Sequence, residues 1–242
     1  MQAELFALDV ITEERASGTA DLKLTGFASD HFKYAIKTQQ DHPDLPVSEW
    51  FCYKLSEMVH LPTPVCKVLR MRDGSFAFGS RWENAGFQYG TVKDTYGQEP
   101  WGLFAAKNLS SIIGLDHFLP NPDRHMNNLL FQSFDKHITA MSFDFSRAWL
   151  MAGFPDSDCK LPTECNTSIT LNIMKSLEKF IKDEAAATLH KVSEIQGSGV
   201  RRIFETMPSS WFDEERLDDF VKWWDSDSRL ARLERSLQVL QA

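Results

Sequence analysis

Two aspartates and an asparagine surround a short apolar stretch in the middle of the chain. The segment from Asn121 to Asn128 reads N-P-D-R-H-M-N-N and leads directly into Leu-Leu-Phe. The second aspartate, Asp144, follows in the sequence S-F-D-F-S, framed by two phenylalanines. Mg²⁺ prefers a few hard oxygen ligands together with phosphate oxygens and water, so Asn128 and Asp144 are candidate metal ligands. Asn-Pro-Asp is also a turn signal, so a simple polar turn at Asp123 is the alternative.

A lysine lies upstream, in a stretch whose side chains alternate as they do in a strand. The sequence Tyr34-Ala35-Ile36-Lys37 would direct the Lys37 side chain into a cleft. Pro46 indicates a helix start, and Glu49 follows in that predicted helix. Glu49 follows Lys37 by twelve residues, and a strand–loop–helix connection of that length would let the two side chains pair. Taken singly, the two residues have simpler interpretations as a solvated strand lysine and a surface glutamate at a helix start.

The order and spacing of these motifs resemble the HipA-like kinases, a compact bacterial branch of the protein-kinase-like superfamily. The D-R-H-x-x-N segment from Asp123 to Asn128 is also similar to the catalytic loop of the phosphatidylinositol 3/4-kinases. The resemblance covers most of the chain and implies an α+β fold with two lobes around one cleft. Residues 1–82 would form a mainly β N-terminal lobe with one key helix, and residues 83–242 a mainly helical C-terminal lobe.

The resemblance also implies an ATP- and Mg²⁺-dependent reaction in which each polar residue has a role. Asp123 would position or deprotonate the acceptor hydroxyl. Lys37, held by Glu49, would engage the α- and β-phosphates of ATP. Asn128 and Asp144 would hold Mg²⁺. Two further nucleotide contacts are expected, at a phosphate-loop remnant formed by Gly18 and Thr19 and at a hinge formed by Phe78, Gly79 and Ser80.

The chain departs from the eukaryotic protein-kinase pattern at three points. It has no G-x-G-x-x-G loop, because Gly18 and Gly26 are far apart in the sequence. It has no H-R-D, because Asp123 precedes the Arg-His pair. The motif around Asp144 ends in Ser146 where those kinases have glycine. These differences leave the geometry of the phosphate loop open, and an ordinary turn and an ordinary strand end remain alternatives for the two expected nucleotide contacts.

Composition and charge argue against a nucleic-acid binder, a membrane-spanning protein and a zinc-binding protein. The net charge of −8 argues against a mainly electrostatic nucleic-acid binder, which would need a basic surface. No apolar stretch is long enough to span a bilayer, and the N-terminus lacks a basic region followed by an apolar core. The four cysteines have no strong zinc-site spacing, so we predict free thiols. Together these features predict a cytoplasmic protein.

Several element predictions bear on the site. Turn residues at 72–74 between two apolar runs predict a β-hairpin. Helical spacing from Leu103 to Ile113 predicts a helix that ends at Gly114. Residues 129–131 and 138–143 predict two short strands, and residues 168–190, 200–204 and 212–240 are predicted to be predominantly helical.

Three functional hypotheses follow. The resemblance implies a protein serine/threonine kinase with a toxin or regulatory role, acting on a protein substrate and accompanied by an antitoxin-like or regulatory protein. The D-R-H-x-x-N loop also allows a kinase that acts on a lipid or small-molecule hydroxyl. The third hypothesis is a nucleotide-binding pseudokinase that serves as an interaction scaffold. Retention of Lys37, Asp123, Asn128 and Asp144 argues against it, because a scaffold has no chemical need for them.

Overall fold

The computed structural model describes residues 2–16, 22–83, 103–134, 137–152 and 160–242. The N-terminal region contains α1 (Gln2–Leu5), β1 (Leu8–Arg15), β2 (Leu24–Ala28), β3 (Lys33–Lys37), α2 (Leu45–Met58), β4 (Cys66–Arg70) and β5 (Phe76–Arg81). The rest contains α3 (Leu103–Phe118), β6 (Leu129–Phe134), β7 (His137–Ser142), α4 (Asn166–Ser176), α5 (Lys182–Glu194), α6 (Gly197–Glu205), α7 (Glu214–Trp224) and α8 (Asp227–Gln241). The predicted α+β fold, with a small β-rich N-terminal region and a helical C-terminal region, is confirmed. The lobe boundary after residue 82 stays a prediction.

The five N-terminal strands form a closed barrel in the order β1-β2-β3-β5-β4. Neighbouring strands are antiparallel except β1 and β4, which run parallel with Leu8 opposite Leu69. The predicted hairpin at 72–74 joins β4 to β5, and its Gly74 adopts a φ of 85° that glycine accommodates without strain. The antiparallel pairing of β3 with β5 places Lys37, the last residue of β3, opposite Phe78.

Helix α2 packs between the barrel and the helical region, and nearly its whole length is therefore buried. Phe51 stacks on Trp149 with ring centroids 4.1 Å apart and meets Trp224 edge-on. Trp50 and Tyr53 are also buried. In a helix that is packed on several faces, close packing constrains the polar side chains as well as the apolar ones. Glu49, between Trp50 and Ser48 on this helix, is therefore fully buried.

The prediction that the third helix ends at Gly114 is wrong, because α3 continues to Phe118. A Cβ atom at Gly114 would lie 2.8 Å from the backbone oxygen of Ala185 in α5. This glycine therefore permits close approach of two helices rather than ending one of them. The extra turn matters because it carries Asp116 and His117.

The segment 168–190, predicted to be predominantly helical, contains two helices, α4 and α5. Glu178 adopts a φ of 55° in the connection, and Phe180 packs against the main core. The break turns the chain, so that α5 packs beside α3 while α4 lies beside the loop containing Asp123. Neither proline nor glycine occurs between 177 and 181, so the sequence carries no simple breaker signal.

No helix in the described ranges has the length and apolar character needed to cross a membrane. Cys52, Cys66 and Cys165 are free thiols, as predicted, and Cys159 lies outside the described residues.

His117 gives the fold an expected pH dependence. Burial lowers the pKa of His117 to about 4, from an ordinary value of 6.5. The unfolded chain therefore binds a proton more readily than the folded one, and the stabilisation is complete above pH 6.5 and is lost as the pH falls towards 4. We expect the free energy of unfolding of the wild type to fall by up to about 3 kcal/mol over this window, relative to His117→Gln.

Urea unfolding at several pH values measures this difference. The matched control is His190→Gln, at a histidine whose side chain is 72% exposed, and it should keep the wild-type pH dependence. Parallel stability curves for the wild type and His117→Gln from pH 7 to pH 4 would contradict the expectation.

Candidate functional site

The structure brings three of the predicted residues into direct contact. The Nζ atom of Lys37 donates to Glu49 Oε1 and, over 2.7 Å, to Asp144 Oδ1. Ser146 Oγ lies 2.6 Å from the same nitrogen. Lys37 and Glu49 are both buried, whereas the side chain of Asp144 is 22% exposed. The predicted Lys37–Glu49 pair therefore exists. The carboxylate of Asp144, which follows the β6–β7 hairpin, contacts the same lysine.

Lys37 thus contacts two carboxylates, and the pKa values of these two groups, Glu49 and Asp144, are shifted in opposite directions. Burial raises the pKa of Glu49 despite the attraction of Lys37. Burial would also raise the pKa of Asp144, but Lys37 and the Ser146 hydroxyl outweigh it and hold that pKa well below its usual range. Burial would lower the pKa of Lys37, but Asp144 and Glu49 raise it. Asp144 is therefore ionised at neutral pH, as a cation ligand must be.

Asp144 is held in an unusual backbone conformation. Its φ of 59° lies in the left-handed region, which costs a residue other than glycine about 1 kcal/mol or more. Its Oδ1 accepts from the amide of Ser146 at 3.2 Å and from the Ser146 hydroxyl at 2.5 Å. The amide of Phe145 donates to Glu49 Oε1 over 3.0 Å. Glycine at position 146 could not donate a side-chain hydrogen bond, so the departure noted in the sequence adds a contact to the site.

The catalytic-loop candidates are joined to each other by a backbone contact. Asn128 ends a 3-10 turn that begins at Met126, and its Nδ2 donates to the Asp123 carbonyl over 2.9 Å. Within the described part of the chain, Asn128 Oδ1 accepts no hydrogen bond. That oxygen is the atom that could bind a metal. His125 Nδ1 accepts from the Asn127 amide, so this histidine orders the loop.

Arg124 fixes this loop to the strand hairpin that precedes Asp144. Its side chain is fully buried and its guanidinium donates to both oxygens of buried Asp116, at 2.8 and 3.2 Å. Its Nη1 donates to the carbonyls of Asn128, the residue before β6, and Phe143, the residue after β7. A single guanidinium therefore ties the segment of Asp123 to the segment of Asp144, using the planar fork that lysine lacks.

Sequence reasoning missed two residues that contact the Asp123 carboxylate. Asn166, the first residue of α4, donates from Nδ2 to Asp123 Oδ1 over 2.6 Å. Arg147 Nε lies 3.6 Å from Asp123 Oδ2. Arg147 was within reach of sequence analysis, because it comes three residues after Asp144. Asn166 belongs to no motif, and only the packing of α4 against the loop brings it to the site.

The other predicted nucleotide contacts are placed differently. Gly18 and Thr19 lie outside the described residues. Phe78, Gly79 and Ser80 belong to strand β5, which pairs with β3 on one side and with β4 on the other. The Phe78 ring packs in the core, and the Ser80 hydroxyl lies 3.0 Å from the Tyr53 hydroxyl. Because β5 is hydrogen-bonded to a strand on each side, its backbone groups are less able to contact the edge of an adenine ring. The predicted nucleotide contact of these residues stays a prediction.

The donor set fits a Mg²⁺–nucleotide pair. An ionised carboxylate at Asp144 and an amide oxygen at Asn128 are the oxygen ligands that Mg²⁺ takes, with the rest supplied by phosphate and water. Lys37 supplies the positive charge that phosphate oxygens require. The described residues contain no group of three or more histidine, cysteine or acidic side chains placed to hold a metal. A two-ligand site that shares its metal with phosphate needs no such group.

No protein-family model and no curated protein sequence matches the chain. Solved structures do match. The Helicobacter pylori proinflammatory kinase CtkA is 11% identical with a TM-score of 0.57, over 97% of each chain. The N-terminal 618-residue fragment of LepB from Legionella pneumophila is 14% identical with a TM-score of 0.50. HipA of Shewanella oneidensis, solved with HipB and operator DNA, is 13% identical with a TM-score of 0.49.

These likenesses differ in extent. The chain spans 45% of the LepB fragment and 59% of HipA, with 88% and 90% of its own length covered. At such low identity the comparison shows the fold alone, and that fold is kinase-like.

Proposed function

We propose that this chain is an ATP- and Mg²⁺-dependent phosphotransferase. The observation that carries the proposal is the contact of Lys37 with both Glu49 and Asp144, next to a loop that presents Asp123 and Asn128. The kinase-like fold supports the same conclusion, because this fold places ATP in the cleft between its two lobes. A scaffold would not need a carboxylate held ionised in a left-handed conformation.

Each residue has a task that its surroundings permit. Lys37 would bind the α- and β-phosphates, and Glu49, which contacts its Nζ atom, would keep the ammonium group in place. Asp123 accepts a hydrogen bond from the acceptor hydroxyl and receives its proton as phosphate is transferred. Asn128 and Asp144 would hold Mg²⁺, which when bound would neutralise charge on the phosphate oxygens.

We propose a protein serine or threonine as the phosphate acceptor, with a toxin or regulatory role and an antitoxin-like or regulatory protein as partner. The support is the likeness of the Asp123–Asn128 and Lys37 motifs to the HipA-like kinases. A lipid or small-molecule hydroxyl is the second candidate, favoured by the same D-R-H-x-x-N sequence.

Transfer of radiolabelled γ-phosphate tests the reaction and the acceptor together. The protein is incubated with labelled ATP and Mg²⁺ in a bacterial extract, which is then separated into protein, lipid and small-molecule fractions. Label on serine or threonine in the protein fraction is the expected result. Label confined to lipid or metabolites would select the second candidate. ATP binding without label in any fraction would overturn the phosphotransferase and favour a pseudokinase.

Asn166 should act as a positioning residue for Asp123. Because its amide fixes one oxygen of the Asp123 carboxylate, Asn166→Ala should lower kcat about tenfold while leaving the KM for ATP nearly unchanged. Steady-state kinetics at varied ATP measure both constants. The control is Asn172→Ala, at an exposed position on the same helix that makes no contact with Asp123. A change in KM alone, or equal kinetics for the two variants, would contradict this role.

A further inference from the structure

Helix α4 carries an exposed row of aliphatic side chains. Ile169, Ile173 and Leu177 are 45%, 43% and 48% exposed, and they follow one another at intervals of four residues. Leu177 comes directly after the helix, and its amide donates to the Ile173 carbonyl, so it continues the last turn. Residues four apart lie on one side of a helix, so the three form a continuous surface, called here the aliphatic ridge. The exposed side of a surface helix usually carries polar residues instead.

The ridge begins beside the Asp123 carboxylate. Asn166, whose Nδ2 donates to Asp123 Oδ1 over 2.6 Å, lies three residues before Ile169 and therefore on the same side of α4. At a rise of about 1.5 Å per residue, the surface from Asn166 to Leu177 is roughly 16 Å long. A molecule bound along the ridge therefore reaches the carboxylate to which the proposed acceptor hydroxyl donates.

Two buried threonines fix α4 to the loop that contains Asp123. Thr167 Oγ1 donates to the Asn121 carbonyl and accepts from the Arg124 amide, the latter over 2.9 Å. Thr170 Oγ1 donates to the Arg124 carbonyl, also over 2.9 Å. These contacts set the position of the ridge relative to Asp123 before any ligand binds. A surface that is already ordered loses less conformational entropy on binding than a mobile one.

The dimensions of the ridge fit an extended peptide. Its residues are four positions apart, which is about 6 Å along a helix. In an extended chain, the side chains on one face recur at every second residue, or roughly every 7 Å. A peptide with aliphatic residues at alternate positions can therefore place one side chain against each ridge residue. A small metabolite held at Asp123 would not extend as far as Leu177.

Charge and composition favour a peptide over a membrane as the occupant. Segments that bind at a membrane surface combine their apolar face with several lysines or arginines on the polar face. Helix α4 contains one basic residue, Lys175, and the whole chain has a net charge of −8. Anionic lipid headgroups would repel a protein of this charge.

We propose that the aliphatic ridge binds the segment of a protein substrate that carries the phosphate acceptor. The chain then selects a serine or threonine that is accompanied by aliphatic residues at alternate positions of an extended segment. This inference rests on the proposed phosphotransferase activity and specifies its substrate class. The acceptor oxygen forms a bond to the γ-phosphorus of ATP, its proton passes to Asp123, and ADP leaves with the electron pair of the broken bond.

Steady-state phosphorylation of synthetic peptides tests this docking surface. Three serine peptides are compared, with leucine at alternate positions after the serine, with leucine at alternate positions before it, and with alanine throughout. One leucine peptide should have a KM at least about tenfold lower than the alanine peptide, because burial of aliphatic side chains favours binding. Ile173→Ser should raise the KM for that peptide about tenfold, whereas Ile173→Leu should keep it.

The matched control is Leu230→Ser, at a leucine of α8 that is 45% exposed and lies outside the ridge. It should keep the KM of the wild type for every peptide. The thermal midpoint without ligand shows whether Ile173→Ser is folded, and the rise of that midpoint with Mg²⁺-ATP shows whether it still binds nucleotide.

Equal KM values for the three peptides would overturn the docking surface, as would an unchanged KM in Ile173→Ser. A dimer of the wild type that Ile173→Ser dissociates would assign the ridge to a second copy of this chain instead. Sedimentation of the wild type, but not of Ile173→Ser, with phosphatidylglycerol vesicles would assign it to a membrane. Either of the last two results would contradict a peptide as the occupant.

Label transfer in a bacterial extract separates this inference from the proposed function. Ile173→Ser should label extract proteins less than the wild type and Leu230→Ser do. Undiminished protein label in Ile173→Ser would overturn the docking surface alone. No label on any peptide or extract protein with the wild type would overturn the proposed protein phosphorylation, and the docking surface with it.

Discussion

Asp144→Asn is expected to lower Mg²⁺-dependent phosphate transfer by about 10²–10³-fold or more. The substitution keeps the size of the side chain and removes the charge that a divalent cation needs. Asp144 is ionised at neutral pH because Lys37 and Ser146 outweigh its burial, so the wild type presents a full carboxylate. An amide oxygen in its place is a weaker ligand for a hard cation.

Two measurements separate catalysis from binding in this variant. Label transfer from ATP gives the rate, and the thermal midpoint with and without Mg²⁺-ATP reports binding, because a ligand specific for the folded state raises the midpoint. We expect a rise in the wild type that is smaller or lost in Asp144→Asn. The control is Asp227→Asn, at an exposed residue in the first turn of α8, and it should behave as the wild type does. Undiminished transfer by Asp144→Asn would remove the basis of the proposed function.

The largest expected effect on stability comes from Arg124→Lys. The guanidinium makes four hydrogen bonds, two to the oxygens of Asp116 and two to the carbonyls of Asn128 and Phe143. Lysine keeps the positive charge but has one nitrogen, so it cannot reach all these acceptors together, and some of the buried oxygens would lose their donor. A buried acceptor left without its donor costs about 1–3 kcal/mol, so the loss of two or more of these hydrogen bonds should cost about 3 kcal/mol or more.

At about 2–4 °C per kcal/mol for a protein of this size, the midpoint of Arg124→Lys should fall by more than about 6 °C. Arg202→Lys, at an exposed arginine of α6, is the control and should shift it by little. Phosphate transfer should also fall, because the same contacts tie the segment of Asp123 to that of Asp144. A midpoint within about 2 °C of the wild type would show that the buried pair does not stabilise the fold.

The element predictions that rested on local periodicity were largely confirmed. The alternation ending at Lys37, the Pro46 helix start and the turn signal at 72–74 each depend on neighbours in sequence, and each element forms there. The helix end at Gly114 was wrong, because glycine also serves close helix packing, and a local pattern does not distinguish these uses. The break between α4 and α5 likewise depends on where Phe180 packs.

For the site, the sequence by itself determined which residue types are present and in what order. Lys37, Glu49, Asp123, Asn128 and Asp144 were identified from their motifs. Their roles stay proposals, but the structure places Lys37, Glu49 and Asp144 in contact. Local rules suffice for this much, because a strand, a helix start and a polar turn each follow from adjacent residues.

Only the tertiary structure decided the electrostatics and the supporting contacts. The contacts of Lys37 with Asp144, of Glu49 with the Phe145 amide and of Asn166 with Asp123 join residues that are 107, 96 and 43 positions apart in sequence. The desolvation that shifts a pKa depends on every group packed around it, and these groups come together only when the barrel and the helices meet across α2. Distances in space, rather than along the chain, therefore set the chemistry that these side chains can perform.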